Sequence, residues 1–440
     1  MEKPMMSDFT ATGIMRGASS VLIVKTLGLF LTLGLSVLLA RLLNPSGFGQ
    51  YSYATEMLLF LSIPVSHGLP NLITREVARF KHNSEIALFH GLMRWSALVV
   101  ILVFAVVAVT VFLLGLYSVS NTTQPFNFVL LGLPIILLTG FLHIGMGALR
   151  GIGKPAIGFV PQAVVRPLGT AVIVMFIALF QPLGSLTATS ALLAFQVAQL
   201  LALFFGVYWF TTSLPTIFRR PSSVTYKSTE WLQESLAFLL LGGASLVTAR
   251  VGIVIVGAIL NSEQVAYLKL ATTGALTVSF VANGVNASIA PKVSAAKSFD
   301  DLRLLQPVIK SAVRRSGVLA VGLVFIFALF GRFIISTIYG TVYLEVFPHL
   351  VILSIAQLFN TLAGPAGQVM NMQGYQRVTA KIQILVMMAT ILLTWGATIS
   401  FGLYGASIAT AIGLIAWNVL LARNVRRIVG ISTTVLRQGL

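Results

Sequence analysis

The sequence predicts an all-α polytopic membrane protein, with twelve transmembrane helices in two six-helix bundles around a central cavity and both termini cytoplasmic. Hydrophobic residues make up 57% of the 440 positions and charged residues only 9%, whereas a soluble domain carries about 25% charged residues. The apolar residues fall into runs of about 20, the length that crosses the hydrocarbon core of a bilayer. Barrel strands would instead alternate apolar and polar residues, a pattern that this sequence lacks.

The predicted spans follow the apolar runs in chain order. They are residues 17–42, 48–73, 94–116, 127–149, 157–180, 185–210, 233–259, 264–290, 313–338, 346–369, 379–399 and 402–422. They define an N-terminal bundle (1–214), a polar and basic linker (215–232) and a C-terminal bundle (233–440). Because six is an even number, both bundles start on the same side, and we expect an axis along the membrane normal to relate them.

Repeated segments about 217 residues apart indicate that the two bundles arose by duplication. The clearest repeat is a turn rich in helix-breaking residues, at 43–55 and again at 260–272 if one gap is allowed. Two more pairs of segments match at nearly the same offset, namely 68–77 with 284–293 and 149–155 with 370–376.

Every second connection between spans is basic, which sets the orientation. These connections and the two terminal segments hold 24 of the 29 Lys and Arg residues, among them Arg150, Lys154 and Arg166 after the fourth span. The alternate connections hold none, near residues 44–47, 117–126, 181–184, 260–263, 339–345 and 400–401. Basic loops stay in the cytoplasm, so both termini are predicted to be cytoplasmic. The protein itself is predicted to lie in the cytoplasmic (inner) membrane. The net charge of +18 then reflects orientation and anionic lipid rather than nucleic-acid binding.

Five basic residues remain outside this cytoplasmic count. Two of them, Arg41 and Arg332, lie near helix ends, from which they can extend to the lipid headgroups. The other three, Lys25, Arg250 and Lys269, lie deeper, where a charge costs several kcal/mol unless it meets water, a partner or a ligand.

One deep carboxylate, Glu56, accompanies these three bases, and one acid cannot neutralise three bases. Lys25, Arg250 and Lys269 are therefore predicted to bind an anion in a hydrated cavity. Glu56 is a candidate for coupling, either as an ion-pair partner or as a proton carrier whose pKa burial would raise.

Polar residues recur at steps of three or four along the predicted span 346–369 and just beyond it. Gln357, Asn360 and Gln368 would share one continuous face with Gly364 and Asn371, and Lys269 would belong to a similar face in the span 264–290. Amides can both donate to and accept from sugar hydroxyls, although they serve equally well as contacts between helices. We predict that Gln357, Asn360 and Gln368 bind substrate, whereas His67 and His143 are interpreted as interfacial residues.

Three stretches resemble a known family, at 39–51 (LARLLNPSGFGQY), 75–78 (REVA) and 264–267 (QVAY). On these, the chain is similar to the polysaccharide transporter family, the Wzx-type oligosaccharide flippases of the multidrug/oligosaccharidyl-lipid/polysaccharide exporter superfamily. The resemblance implies a V-shaped pair of bundles that opens a cationic cavity alternately to each side. It also implies transfer of an undecaprenyl-pyrophosphate-linked oligosaccharide to the outer leaflet, for surface polysaccharide biosynthesis. Many relatives have Asp before the Arg of the seventh span, where this chain has Ala249.

Two other classes of protein were weighed against this interpretation. A MATE-like cation-coupled exporter shares the fold, but organic cations call for carboxylates in the cavity. A membrane-embedded polymerase or ligase would need catalytic groups in long outward loops, and the outward connections are short.

The sequence predicts no catalytic residue, metal site or cofactor. The expected partners are the lipid-linked oligosaccharide, membrane lipids, a proton or monovalent ion, and the polymerase and glycosyltransferases of the same pathway.

Overall fold

The computed structural model describes residues 11–118, 124–180, 186–219, 223–280, 282, 284, 289, 293 and 299–434. Several predicted features lie outside these ranges: most of the lead before the first span, the centres of the connections near 117–126 and 181–184, part of the linker, and Asn283 of the second polar face.

Every regular element in the described part of the chain is helical. Before the linker the α-helices are α1 (Ala11–Leu42), α2 (Pro45–Leu61), α3 (Leu69–Asn83), α4 (Ile86–Ser118), α5 (Gln124–Gly132), α6 (Pro134–Gly151), α7 (Pro155–Val160), α8 (Arg166–Phe180) and α9 (Ala188–Ser213). After it they are α10 (Ser228–Ile259), α11 (Ser262–Ala275), α12 (Phe299–Ile338), α13 (Val346–Ala363), α14 (Ala366–Met372) and α15 (Gln376–Asn424). Short π-helical segments occupy Pro64–Gly68, Pro161–Val165 and Val425–Val429.

Nine helices in the described ranges are long and apolar enough to cross a membrane. The number is ten if α2 and the following segment Pro64–Asn83, which meet at an angle of 60°, count as one span. The predicted total of twelve is not confirmed. Two predicted spans, 379–399 and 402–422, fall within the single helix α15, and the predicted span 264–290 is described only in part.

Gly402 divides α15 into two antiparallel arms. Its φ of 57° and ψ of −139° are not helical, and glycine adopts such a conformation more readily than residues with a Cβ. A Cβ added at Gly405 would overlap the carbonyl of Ala397, and one at Gly413 would overlap the side chain of Thr390. Residues further after Gly402 thus contact residues further before it, which shows that the chain reverses direction at Gly402.

The chain forms two compact units. The first contains the described residues up to Leu43 together with Tyr53–Gly243, and the second contains Asn44–Ser52 and the described residues from Ala244 onwards. The division therefore falls inside α10, and the first part of α2 belongs to the second unit.

The core of the first unit forms around the amphipathic helix α3. Its buried face, which includes Leu72, Ile73 and Phe80, packs with residues of α4, α6 and the start of α10. Trp231 of α10 is 1% exposed, and its ring centroid lies 5.7 Å from that of Trp95. The start of α10 is thus held against the helices that carry the site described below.

The core of the second unit collects buried side chains of α12, α14 and α15, among them Val313, Val369 and Leu421. Two helices of this unit begin with the same cap. Asn44 Oδ1 accepts a hydrogen bond from the backbone N–H of Gly47 at 2.6 Å, and Asn261 Oδ1 accepts one from Gln264 at 3.0 Å. Such caps satisfy amides that a helix start leaves unpaired, so the repeated turn found in the sequence is also repeated in structure.

Candidate anion-binding site

Two cations of the first unit share one aromatic ring. Lys25 of α1 places Nζ 4.6 Å from the ring centroid of Phe159 in α7. Arg150, near the end of α6, places Cζ 5.8 Å from the same centroid. Both distances are within the range in which a ring attracts a cation. Lys25 is exposed, whereas Arg150 and Phe159 are half-buried.

A close backbone approach places Lys25 beside this ring. A Cβ added at Gly28, three residues after Lys25, would lie 2.7 Å from the carbonyl oxygen of Ala163 in the segment Pro161–Val165. Residues three apart lie on the same side of a helix. Only a residue without a side chain lets α1 approach so closely, and Lys25 therefore reaches Phe159.

Glycines also bring Arg150 to its position. A Cβ at Gly147 would lie 2.8 Å from the carbonyl oxygen of Pro70, so α6 and α3 meet without side chains between them. Gly153 follows with φ of +93°, and the N–H of Lys154 donates to the carbonyl of Leu149 at 2.8 Å. This turn ends α6 directly after Arg150 and directs the chain into α7.

An amide of α3 completes the group. Arg150 Nη2 donates to Asn71 Oδ1 at 3.4 Å. The same two helices are joined nearby, where Thr74 Oγ1 donates to the carbonyl of Gly147 at 3.1 Å and Lys81 Nζ donates to the carbonyl of Ile152 at 3.0 Å. Lys25, Arg150, Phe159 and Asn71 are called the cation cluster below.

No carboxylate in the described part of the chain forms an ion pair with Lys25 or Arg150. The carboxylates of Glu76, Glu85, Glu230 and Glu234 pair with other residues. The two cations also repel each other. An anion placed between them would relieve this repulsion and gain two attractive interactions.

Arg166 begins α8 within the apolar helical stretch Pro155–Phe180. In the sequence it lies inside the predicted span 157–180 and is grouped with the basic residues of the preceding connection. The π-helical segment Pro161–Val165 precedes it and begins at a proline, which has no backbone N–H to donate. Arg166 is half-buried, with Cζ 5.4 Å from the ring centroid of Phe195 in α9.

One histidine of the first unit, His143, lies near these cations. It is 5% exposed, its Nδ1 lies 2.8 Å from the carbonyl oxygen of Thr139, and the basic groups of His67, Arg150 and Arg166 interact with it electrostatically. His67 lies in the π-helical segment Pro64–Gly68, at the 60° bend. In the first unit, His67 lies within one π-helical segment and Arg166 directly follows another.

The other predicted site residues are divided between the units. Glu56 lies in α2, within the first unit, and is 7% exposed. Arg250 of α10 and Lys269 of α11 belong to the second unit and are half-buried. No described group of His, Asp or Glu side chains is arranged to hold a metal ion.

The continuous polar face predicted for 346–369 is wrong. Gln357 and Asn360 lie on α13, where Asn360 Nδ2 donates to Gln357 Oε1 at 3.2 Å. Gln368 lies on the separate helix α14, because Gly364 (φ 71°, ψ −165°) ends α13 and Pro365 follows. In the described part of the chain, the buried Oε1 of Gln368 has no hydrogen-bond partner.

Sequence reasoning identified Lys25 but missed Arg150, Phe159 and Asn71. Arg150 was counted with the cytoplasmic connection, because it lies next to the predicted end of a span. The glycine-rich stretch 145–153 was the available signal, since glycines at a helix end permit close packing.

The sequence matches the family described as polysaccharide biosynthesis protein over residues 14–297. Comparison with curated proteins found no match.

Solved structures share the fold of this chain. The inward-facing conformation of a multidrug resistance MATE family transporter of the MOP superfamily has a TM-score of 0.72 and 13% identity, covering 94% of this chain and 98% of that one. Lipid II flippase MurJ, in its inward closed conformation, has a TM-score of 0.72 and 15% identity, covering 94% and 87%. An outward-facing MATE family transporter has a TM-score of 0.63 and 15% identity, covering 94% and 95%.

Proposed function

The chain belongs to the polysaccharide biosynthesis protein family, and from that premise we propose that it is a flippase for a lipid-linked oligosaccharide. The observation that carries this proposal is that Lys25 and Arg150 contact the same ring, that of Phe159. Neither cation forms an ion pair with a carboxylate of the described residues. Cations inside membrane spans that no acid balances call for an anionic ligand. The pyrophosphate of an undecaprenyl-linked sugar is such a ligand.

Each member of the cation cluster has a distinct task in this proposal. The planar guanidinium of Arg150 binds two phosphate oxygens at once, and the ammonium of Lys25 adds a compact charge. The ring of Phe159 holds both cations when no ligand is present, and the amide of Asn71 keeps Arg150 oriented.

The second unit is proposed to hold the sugar part of the substrate. Gln357, Asn360 and Gln368 would bond to sugar hydroxyls, and the buried oxygen of Gln368, which lacks a partner among the described residues, would accept such a bond. Arg250 and Lys269 are proposed to contact negative groups of the substrate. Transport would proceed by alternating access from the inner to the outer leaflet of the cytoplasmic membrane, with Glu56 as the candidate coupling residue.

A cation exporter is the alternative with the same fold, since MATE and MurJ structures match this chain equally well, each with a TM-score of 0.72. Charge separates the two functions, because an exporter of cations needs acids in its binding site. The cation cluster favours an anionic substrate.

The test is a flipping assay in proteoliposomes with an undecaprenyl-pyrophosphate-linked oligosaccharide. Lys25→Ala and Arg150→Ala should each lower the rate at least about tenfold, which corresponds to ~1.4 kcal/mol. Arg332→Ala is the matched control, because its Cζ lies 5.4 Å from the ring of Phe347 in a similar contact of the second unit. Flipping that survives both substitutions at the rate of the control would refute the proposed site.

A further inference from the structure

An ion-pair cluster lies near the cytoplasmic end predicted for α3. Glu76 is 1% exposed, and both of its oxygens are paired. Arg75 donates from Nε and Nη2 to Oε1 at 3.2 and 3.0 Å, and Arg79 Nη2 lies 2.6 Å from Oε2. Because Glu76 has two arginines, it keeps a partner if one of them leaves, which spares the large penalty of an unpaired buried charge.

Arg75 also reaches across to α10. Its Nη2 pairs with Oε2 of Glu234, and its Cζ lies 5.6 Å from the ring centroid of Phe238, one turn further along α10. The side chains of Arg75 and Glu234 are 49% and 37% exposed. A dissolved anion can therefore reach this pair, and Glu234 can return to water when the pair opens.

The pair lies at the edge of the cation cluster. Arg75 follows Asn71 by four residues, so both lie on one face of α3, about 6 Å apart along the helix axis. Asn71 in turn accepts the hydrogen bond from Arg150. A phosphate group bound at Arg150 would thus lie beside Arg75, whose guanidinium is paired with the carboxylate of Glu234 in this structure.

We propose that Glu234 stands in for the phosphate of the substrate in the empty protein, and that an incoming pyrophosphate takes Arg75 from Glu234. This inference rests on the flippase function proposed above. Guanidinium binds phosphate with the same two-point geometry as carboxylate, and pyrophosphate brings more charge than a single carboxylate. The exchange leaves no buried charge unpaired, because Arg79 remains on Glu76.

Release of Glu234 removes a polar contact between α3 and the start of α10, while Trp231 of α10 stays packed in the apolar core. The start of α10 also approaches Gly68, the residue before α3, where a Cβ would lie 2.6 Å from the carbonyl oxygen of Ser235. In this way substrate binding is linked to the helix through which the chain passes from the first unit to the second.

The test compares Glu234→Gln with Glu230→Gln in full-length protein in lipid nanodiscs. Glu230 lies one turn earlier on α10 and pairs with Lys227 at 3.1 Å, so its substitution removes an exposed ion pair elsewhere on the same helix. Binding is measured with inorganic pyrophosphate and, separately, with polyprenyl pyrophosphate. Glu234→Gln should tighten binding about two- to fivefold, the range expected when a half-exposed competing pair is removed. Glu230→Gln should match the wild type.

Hydrogen exchange of residues 228–240 supplies a second readout. If the pair of Arg75 and Glu234 had only a structural role, pyrophosphate would not change this exchange. Pyrophosphate should raise exchange there in the wild type, whereas exchange in Glu234→Gln should already be raised and should not respond. Arg75→Lys keeps the positive charge but loses the planar guanidinium that binds two oxygens at once, so it should weaken pyrophosphate binding.

Each outcome decides between the two proposals. If Lys25→Ala and Arg150→Ala lose binding while Glu234→Gln behaves like Glu230→Gln, this inference is wrong and the proposed function stands. If the wild type binds neither probe, both are wrong. Tighter binding of polyprenyl pyrophosphate alone supports the exchange and identifies a lipid headgroup as the ligand, whereas tighter binding of both probes supports exchange by any pyrophosphate.

Discussion

Gly49 lies directly against the backbone carbonyl of Ser262, so that a Cβ on Gly49 would overlap it. Both residues belong to the second unit. Each follows a capping asparagine, Asn44 before α2 and Asn261 before α11. The two copies of the repeated turn therefore contact each other backbone to backbone.

Replacement of Gly49 by valine should destabilise the protein by about 1–3 kcal/mol, because the added atoms have no room. Gly34→Val is the matched control, since a Cβ at Gly34 meets nothing within 4 Å. Thermal unfolding of the purified proteins in detergent measures the difference. Equal unfolding temperatures for the two variants would contradict the close contact.

Phe159→Leu should weaken pyrophosphate binding while the protein stays folded, because leucine fills similar space without a ring. A cation–ring contact contributes about 0.5–2 kcal/mol, so we expect a loss of about two- to thirtyfold in affinity. Phe347→Leu removes the ring beside Arg332 and should leave binding unchanged. Calorimetric titration with pyrophosphate provides both values, and the same affinity for the two variants would rule out a role for the Phe159 ring.

The predicted orientation can be tested with single cysteines, because the chain has none of its own. A cysteine at Asn261, in a connection predicted to face outward, should react with an impermeant maleimide in intact cells. A cysteine at Lys154, in a basic connection, should react only after the membrane is opened. The reverse result would invert the orientation of every charge discussed here.

Transport should depend on membrane potential even without a pH gradient. Each unit charge that crosses 100 mV gains or loses about 2.3 kcal/mol, and an inside-negative potential favours outward movement of an anionic headgroup. Proteoliposomes in which potential and pH gradient are imposed separately measure the two contributions. Rates that ignore the potential would mean that the headgroup charge crosses together with a compensating cation.

Glu56→Gln should slow turnover without abolishing substrate binding, if Glu56 carries the coupling proton or ion. It is 7% exposed in α2, so loss of its charge changes a buried group rather than a solvated one. Flipping rate and pyrophosphate affinity, measured on the same preparation, separate the two effects. A fully active variant would remove Glu56 from the mechanism.

Structural features that depend on residues close together in the chain could be predicted from the sequence. The turns at Asn44 and Asn261 are readable because a capping side chain bonds to an amide three residues away. Apolar runs likewise marked most of the spans, and the reversal at Gly402 within α15 lies at the connection predicted near 400–401.

The cation cluster could be predicted only in part, because it depends on contacts between distant segments. Lys25 stood out as a charge in an apolar run, but its neighbour Phe159 is indistinguishable in sequence from any other apolar residue. The prolines at 161 and 167 likewise do not reveal that the chain continues through a π-helical segment into α8, which begins at Arg166. Packing against α1 and α9 decides that, and it cannot be read along the chain.

The turn at Gly402 has a consequence for how the protein enters the membrane. The arms 379–399 and 402–422 are joined by so few residues that they lie side by side as soon as the turn forms. We therefore expect them to enter the bilayer as a paired hairpin, with the turn at the membrane surface, where water can satisfy its amides and carbonyls.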